Sequence, residues 1–249
     1  MSILGIIPAR FASTRFPGKP LIDINGRAMI LRVYDQALLS EVLHDIVVAT
    51  DDDRIFNLVR NAGFHVVLTS ESHNSGTERC LEALDKWESE TGSGFDHVIN
   101  IQGDEPFIHP EQIRKVAALL ESGDAQIATL VKLINRHEEI FNPNVVKVVF
   151  DKFMDAIYFS RSPVPFLREV DEIQWINKKA HYKHIGIYGF KAGALRKACN
   201  LHQGILEKYE SLEQLRWLEH GLQIKIDVTS EESIAIDTPD DLLKITNTA

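Results

Sequence analysis

The residues best suited to chemistry begin directly after the first apolar segment of the chain, in a basic loop at residues 8–20. This loop carries Arg10, Arg15 and Lys19, and no acidic residue occurs before Asp23. Three cations in an otherwise acidic chain suit a polyanion such as a triphosphate, whose oxygens they match in charge and hydrogen bonding. A solvated basic loop is the alternative. The loop has neither the Walker A spacing nor a GxGxxG motif.

Carboxylates follow three other apolar segments, at Asp51, Asp104 and Asp237. Carboxylate oxygens suit Mg²⁺, which usually takes one or two of them and leaves other positions for substrate phosphates. Asp104 lies in the most specific segment, 102–106, where Gly103 would let a ligand approach the backbone closely. The alternative role is a helix N-cap, which is expected for one residue of 51–53 because a helix follows directly.

Two further groups of polar residues have both a functional and a structural interpretation. Ser75 and Arg79 open a predicted helix, where they could bind a base or a phosphate, but Ser75 also fits a capping box. His184 and Tyr188 lie four apart in a predicted strand and therefore share a face. With Arg161 they would suit a polar, carboxylated substrate, although a structural histidine is the simpler interpretation of His184. Glu213 and Gln214 lie on a predicted helix and are unremarkable in isolation.

The first two thirds of the chain alternate short apolar runs with amphipathic stretches. This pattern predicts βαβ units and a mostly parallel sheet covered on both faces. The ligand site of such a sheet lies beyond the carboxyl ends of its strands, where the residues above occur. The predicted strands are 3–8, 45–50, 66–69, 97–102 and 126–134, and the predicted helices are 29–39, 53–61, 78–87 and 110–120.

The pattern changes after Phe141. Segments 145–150 and 156–159 predict a hairpin, and 166–183 is irregular and charged. A strand at 184–190, a helix within 206–220, a strand at 224–228 and a C-terminal helix capped near Thr238 complete the chain. We therefore expect a single α/β domain over 1–249, doubly wound, with an inserted β-rich arm at about 140–185. Phe166 and Trp175 would suit an arm that covers a partner subunit, and a plain surface excursion is the alternative.

Composition limits the possible classes of protein. The chain has 249 residues, with 27 basic and 36 acidic residues and a formal net charge of −9, which argues against a nucleic-acid partner. It has no apolar run long enough to span a membrane and no signal-peptide pattern. Two cysteines do not form a disulfide framework. A cytoplasmic protein is the expectation.

Taken together, these motifs resemble those of the bacterial 3-deoxy-manno-octulosonate (Kdo) cytidylyltransferases, or CMP-Kdo synthetases. The matching segments occur in order along nearly the whole chain. Segments 7–21 and 100–106 also occur in CMP-sialic acid synthetases, whereas 184–189 and 212–216 favour the Kdo enzymes. The remaining matches are 48–51, 75–79, 141–149, 158–161 and 237–242.

The resemblance implies a Mg²⁺-dependent reaction, CTP + Kdo → CMP-Kdo + diphosphate, which serves lipopolysaccharide assembly, and a homodimer. It implies catalytic roles for Arg10, Lys19, Asp104 and Asp237, of which the two aspartates would hold Mg²⁺. The implied CTP-binding residues are Arg10, Arg15, Lys19, Ser75, Arg79 and Gln102. The implied Kdo-binding residues are Gln102, Arg161, His184, Tyr188, Glu213 and Gln214.

Three other functions stay open at the level of sequence. A sialic acid cytidylyltransferase would use the same chemistry on another 2-keto acid, and a silent nucleotide-binding protein could keep the fold without activity. A glycosyltransferase is disfavoured because the chain lacks a clear Asp-x-Asp motif on a strand end. The chain departs from the resembling family at Ala235 and Ile236, which commonly are Gly-Val, and 166–183 matches no family pattern.

Overall fold

The structure is a computed structural model that describes residues 1–12, 16–123, 125–232, 234–236, 238 and 240–242. Its strands are β1 (Ile3–Ala9), β2 (Asp23–Ile24), β3 (Arg27–Ala28), β4 (Asp45–Thr50), β5 (Val66–Leu68), β6 (His97–Asn100), β7 (Ile127–Leu133), β8 (Lys147–Phe150), β9 (Ala156–Ser160), β10 (Tyr182–Lys191) and β11 (Ile224–Val228). Its α-helices are α1 (Met29–Leu38), α2 (Asp53–Asn61), α3 (Gly76–Thr91), α4 (Pro110–Glu121), α5 (His137–Phe141), α6 (Ala192–Cys199), α7 (Ile205–Glu210) and α8 (Glu213–Glu219). Lys19–Leu21 and Glu172–Lys178 form 3₁₀ turns.

One mixed sheet organises these elements. Its main path runs β11-β7-β10-β6-β1-β4-β5, and every pairing on that path is parallel except the two made by β10. β8 pairs with the beginning of β10, and β9 pairs with β8 as the second strand of a hairpin. The predicted α/β class and the predicted hairpin are confirmed. The antiparallel direction of β10 brings residues from the last third of the chain to the carboxyl end of β6.

Buried side chains cover the sheet on both faces, as a doubly wound fold requires. One apolar cluster packs α3, α6 and α8 against one face, and it includes Leu4, Val98, Phe190 and Trp217. The other packs α1, α2 and α4 against the opposite face. The central strands β1, β4, β6, β7 and β10 contribute to both clusters because side chains along a strand point alternately to opposite faces. The described residues include no helix with the length and apolar character needed to cross a membrane.

Most predicted elements in the first two thirds are present, with shifted ends. α3 begins at Gly76 and reaches Thr91, beyond the predicted 78–87, while β6 ends at Asn100 instead of residue 102. The strand ends early because the chain turns at Gly103, which packs against the backbone of Pro8. Asp52 is the N-cap that was expected within 51–53.

The chain after residue 134 contains elements that the patterns did not predict. The single helix expected within 206–220 is two helices, α7 and α8, separated by Ser211 at a φ of 52°. Helices α5 and α6 and the turn at Glu172–Lys178 also lie where no helix was predicted. The expected cap at Thr238 is present, since its Oγ1 accepts a hydrogen bond from the amide of Asp241.

The segment predicted as an arm contributes most of a small apolar cluster, which Ile134 completes. Trp175 is 2% exposed and packs with Ile134 and Ile140, so its predicted availability to a partner subunit is wrong. Its indole Nε1 donates to the carbonyl of Val170, which closes the irregular segment onto itself. Phe166, in contrast, is 73% exposed. The segment is irregular in secondary structure but packed around one tryptophan.

The close packing of α4 on β10 generates a stability prediction. A Cβ at Gly189 would lie 2.5 Å from Val116 Cγ1 and 2.7 Å from Leu120 Cδ1, so we expect G189A to lower the free energy of unfolding by about 1–3 kcal/mol. Urea denaturation measures this change. G193A in α6 is the matched control, because nothing lies within 4 Å of a Cβ there and alanine favours helix. Equal stability of the two variants would contradict the packing.

Candidate active site

A cleft opens at the carboxyl ends of β1 and β6, where the fold class predicts a ligand site, and its volume is about 860 Å³ with the open solvent at its mouth included. Six of the predicted site residues line it, together with seven others. The six are Arg10, Lys19, Ser75, Arg79, Gln102 and Asp104; the seven are Pro8, Ala9, Pro20, His73, Asn74, Gly76 and Gly103.

A close approach of two backbone segments forms the floor of the cleft. β1 and β6 pair directly in parallel, so the segments after them leave the sheet side by side. At Gly103 a Cβ would lie 2.5 Å from the carbonyl oxygen of Pro8, a distance that excludes any side chain. Glycine is therefore required here for close backbone approach, as the sequence suggested.

An ion pair joins the basic loop to the carboxylate at the end of β6. Lys19 Nζ lies 2.8 Å from Asp104 Oδ2, and the lysine side chain is only 12% exposed. Gly18, at a φ of 72°, precedes the turn that directs Lys19 inward, and its amide donates to the carbonyl of Phe11. Arg10 lies exposed at the beginning of the same loop. A cation and a carboxylate thus share the cleft.

Two predicted site residues, Arg15 and Asp237, lie outside the described residues. The chain directly before position 237 reaches the cleft, because the amide of Ile236 donates to the carbonyl of Asp104 at 2.9 Å. The described residues contain no group of three or more histidine, cysteine, aspartate or glutamate side chains that could hold a metal ion by itself. Mg²⁺ does not need such a group, since one or two carboxylates and substrate phosphates suffice. The chemistry of Asp104 therefore fits Mg²⁺.

Arg79 occupies a different environment from that expected of a phosphate-binding arginine. Its guanidinium is 4% exposed, lies 2.7 Å from Asp51 Oδ2 through Nη2, and donates to Thr69 through Nη1. Asp51 thereby neutralises Arg79 and links the end of β4 to the first turns of α3. Arg79 lines the cleft, but its guanidinium is bonded to Asp51 and Thr69 and so stabilises the cleft wall.

The first turn of α3 connects the cleft to α8. Ser75 is the N-cap of α3, as predicted, with its hydroxyl accepting from the amide of Glu78. Thr77 Oγ1 donates to Glu213 Oε2 at 2.7 Å. Burial raises the pKa of Glu213, while hydrogen bonds from Thr77 and Ser75 oppose that rise because they favour the charged form.

β10 carries the predicted sugar-side residues past the end of β6. The rings of His184 and Tyr188 lie on one face with centroids 5.1 Å apart, as their spacing predicted. Gln102 Nε2 donates to the carbonyl of Gly186 between them at 2.9 Å, which ties β10 to the cleft. Burial lowers the pKa of His184 to about 3 and raises that of Tyr188 well above its usual value, so both rings are neutral near pH 7. The Tyr188 hydroxyl is buried without a hydrogen-bond partner among the described residues.

Of the predicted sugar-side residues, the cleft lining includes Gln102 but not Arg161, His184, Tyr188, Glu213 or Gln214. Arg161 donates to the backbone carbonyls of Pro143, Glu210 and Ser211 through three of its N–H groups. A guanidinium has five N–H donors, so two have no partner among the described residues. Gln214 is buried on α8 beside Glu213. Arg161 is bonded to Glu210 and Ser211 in the segment that precedes α8, and Gln214 lies on α8 itself.

Two residues at or beside this site, His73 and Thr129, occur in stretches without a distinctive chemical pattern, so the sequence did not reveal them. Thr129 lies in the middle of an apolar strand, where a lone buried threonine is the one available signal. Its contacts depend on β10, which is more than fifty residues away in the chain.

The buried carboxyl of Glu213 generates a prediction about pH. The folded state raises the pKa of this group above its ordinary 4.5, so the stability it contributes is complete below that pH and falls as the pH rises through the folded pKa. We expect E213Q to escape this loss. Its free energy of unfolding relative to the wild type should rise from pH 4.5 to neutral pH, by about 1.4 kcal/mol for each unit of raised pKa.

Urea denaturation at both pH values measures the difference. E90Q, on the exposed surface of α3, is the matched control and corrects for the general effect of charge removal. A difference between E213Q and the wild type that does not change with pH would contradict a raised pKa.

Known proteins match this chain over nearly its full length. A family model described as Cytidylyltransferase matches residues 4–226. The 3-deoxy-manno-octulosonate cytidylyltransferase of Parabacteroides distasonis is 51% identical, with coverage of 98% of this chain and 96% of that protein. The protein of the same name from Cytophaga hutchinsonii is 50% identical over 100% of this chain and 98% of that protein.

A solved structure agrees with these matches. It is a CMP:2-keto-3-deoxy-manno-octonic acid synthetase complexed with CTP, 36% identical, with a TM-score of 0.90 and coverage of 100% of this chain and 98% of that chain. Sequence and structure comparisons thus agree over the same length. The chain belongs to the cytidylyltransferase family, among the 3-deoxy-manno-octulosonate cytidylyltransferases.

Proposed function

We propose that this protein transfers the cytidylyl group of CTP to Kdo, giving CMP-Kdo and diphosphate for lipopolysaccharide assembly. The observation that carries this proposal is the pairing of Lys19 with Asp104 in the cleft. A nucleotidyl transfer needs cations for the triphosphate and a carboxylate for a metal ion at the same point, and this contact supplies both. The names of the full-length relatives support the identity of the two substrates.

The nucleotide side of the cleft would bind through charge. Arg10, Arg15 and Lys19 supply the cations for the triphosphate, and Ser75 offers a hydroxyl at the amino end of α3, where the helix dipole favours an anion. Arg79 supports this wall through Asp51. Because diphosphate gains charge as it leaves, Lys19 and the arginines stabilise the transition state more than the bound CTP.

The sugar side would bind through neutral polar groups and one arginine. Gln102, held by Gly186, marks the boundary between the two substrates. His184, Tyr188, Glu213 and Gln214 are proposed to contact the hydroxyls of Kdo, and Arg161 its carboxylate. This arrangement orients the anomeric hydroxyl for in-line attack on the α-phosphorus, with diphosphate as the leaving group. Such chemistry depends mainly on positioning and charge neutralisation.

We assign Mg²⁺ to the carboxylates of Asp104 and Asp237. When bound, it would neutralise phosphate charge and favour ionisation of the attacking hydroxyl. Asp104 is held ready by Lys19, which also keeps the carboxylate compensated in the absence of substrate.

The direct test is release of diphosphate by the purified protein with CTP and Mg²⁺. Parallel reactions contain Kdo, N-acetylneuraminate or no sugar. We expect release with Kdo alone. Release with N-acetylneuraminate alone would keep the transfer chemistry and overturn the assignment of the sugar site, while absence of release with Kdo would overturn the proposed function.

Substitution of Asp104 tests the metal assignment. We expect D104N to lower kcat by about 10²–10³-fold, because removal of one group that stabilises transition-state charge lowers kcat by this factor. D227N, which removes a carboxylate paired with Lys115 on α4, should keep wild-type turnover. Circular dichroism verifies folding of both variants. Near-wild-type turnover of D104N with unchanged Mg²⁺ dependence would refute the assignment.

We also propose that the protein is a cytoplasmic homodimer whose arm, at about 140–185, contributes to the interface. Among the described residues, β9 forms strand pairing with β8 only and is therefore an edge strand. Its Ile157 is 60% exposed, and Phe153, in the turn of the same hairpin, is 65% exposed. Exposed apolar side chains on an edge strand are typical of a partner surface. The free thiols of Cys80 and Cys199 are consistent with the reducing cytoplasm.

The dimer is tested by light scattering after size exclusion. We expect I157E to shift the mass toward the monomer, because a buried unpaired carboxylate at an interface is costly. L39E, at an equally exposed apolar position after α1, should keep the wild-type mass. A wild-type protein that is monomeric at micromolar concentration would contradict the proposal.

A further inference from the structure

A buried threonine contacts the imidazole of His184. Thr129 lies on β7 and is 0% exposed. Its Oγ1 lies 3.0 Å from His184 Nε2, 2.8 Å from the carbonyl oxygen of Ile187 and 3.2 Å from that of Ile185. One hydroxyl thus meets three polar atoms of β10, although it has a single hydrogen to donate.

The two carbonyl oxygens decide where that hydrogen lies. A carbonyl can accept a hydrogen bond but cannot donate one. Two oxygens 2.8 Å apart repel each other unless a hydrogen lies between them, so Thr129 must donate to Ile187, with Ile185 as the more distant acceptor. The Thr129 oxygen then has lone pairs and no hydrogen for His184. The contact with His184 Nε2 therefore requires that Nε2 donate.

A bulge in β10 explains why these carbonyls need the hydroxyl. The register between β10 and β7 passes from Ile185 opposite Leu130 to Tyr188 opposite Thr129, which leaves Gly186 and Ile187 outside the regular ladder. Ile187 is 1% exposed, so water cannot easily replace the missing ladder bond. A buried unpaired carbonyl is costly, and Thr129 prevents that cost.

The imidazole of His184 carries a single hydrogen. Burial lowers the pKa of His184 to about 3, so the imidazole is neutral at pH 7 and carries one hydrogen. With that hydrogen on Nε2, Nδ1 has a lone pair. The part of the chain that the structure describes offers Nδ1 no hydrogen-bond partner.

We propose that Thr129 is a positioning residue that fixes His184 in the Nε2–H tautomer, which makes Nδ1 a hydrogen-bond acceptor for a sugar hydroxyl. His184 would then recognise a hydroxyl group and would repel a carboxylate, which leaves the carboxylate to the remaining N–H groups of Arg161. The identity of this ligand rests on the proposed function. The tautomer does not, since it follows from contacts within the protein.

Nitrogen NMR of the wild-type protein tests the tautomer directly. The protein is labelled with ¹⁵N-histidine, and the resonances of His184 are assigned by their absence from H184Q. A protonated ring nitrogen resonates far upfield of an unprotonated one, and the couplings to the ring carbons' protons distinguish Nδ1 from Nε2. We expect a protonated Nε2 and an unprotonated Nδ1 at pH 7. The opposite tautomer, or a ring protonated on both nitrogens, would overturn the proposal.

Substitution of Thr129 tests the positioning role. T129V keeps the shape of the side chain but removes the hydroxyl, and we expect the Nε2–H preference to weaken and kcat/KM for Kdo to fall about tenfold or more, while KM for CTP stays within about twofold. T129S restores the hydroxyl and should restore both the NMR pattern and kcat/KM. T91V is the matched control, because it removes a threonine hydroxyl that bonds a carbonyl at the far end of α3.

The outcomes separate this inference from the proposed function. Wild-type tautomer and wild-type kcat/KM in a folded T129V would overturn the role of Thr129. If T129V does not fold, the T129S and wild-type spectra decide, because a Nδ1–H tautomer in either contradicts the argument. If Kdo is not a substrate, turnover is absent in every variant, while the NMR result still supports or overturns the tautomer.

Discussion

The cleft depends on the contact between the backbone at Gly103 and the carbonyl of Pro8. β1 and β6 are neighbours in the sheet, and the absence of a side chain at Gly103 lets their carboxyl ends converge. The basic loop after β1 and the carboxylate after β6 are consequently close enough for Lys19 to contact Asp104 at 2.8 Å. A side chain at position 103 would separate the two chemistries that a nucleotidyl transfer requires together. The electrostatic properties of the site therefore depend on this steric constraint.

The second determinant is the antiparallel course of β10. A parallel strand beside β6 would end where β6 ends. The antiparallel strand β10 instead passes the carboxyl end of β6 near its own middle, at the bulge around Gly186. The bulge frees backbone carbonyls from the ladder, and side chains from both neighbours bind them. Gln102 binds Gly186 from the side of β6, and Thr129 binds Ile187 from β7. The irregular part of β10 thereby fixes one side chain from each of its two neighbours, Gln102 and Thr129.

Sequence reasoning predicted the parts of this protein that depend on local pattern. Short apolar runs predicted the parallel strands. Ser75 and one residue of 51–53 were predicted as helix caps, and the caps are Ser75 and Asp52, because capping is decided within one turn. It failed where distant segments decide. The end of β6 depends on Pro8, and the burial of Trp175 depends on an apolar cluster that no periodicity reveals. The break between α7 and α8 is local, but the left-handed conformation of Ser211 has no signal in the residue type, since Ser211 is not a glycine or an asparagine.

The residues of the candidate site also divide into those that local pattern predicts and those that depend on distant segments. The carboxyl ends of β1 and β6 predicted Arg10, Lys19, Gln102 and Asp104 as neighbours, and they line one cleft. The environment of Arg79 could not be predicted, because its neutralisation by Asp51 requires the spatial relation of α3 to β4. Arg15 and Asp237 remain predictions from the resemblance to known cytidylyltransferases.

The electrostatics of the two halves of the site differ for a physical reason. On the nucleotide side, Arg10 is exposed and can exchange water for phosphate oxygens, while Lys19 is held by the carboxylate of Asp104. On the sugar side, burial favours the neutral forms of His184 and Tyr188 and opposes ionisation of Glu213. Neutral groups distinguish hydroxyls by the direction of each hydrogen bond, which a charged ring could not do because both of its nitrogens donate. Binding strength would therefore come chiefly from the charged half, and discrimination among sugar acids from the buried half, where an unpaired polar group is costly.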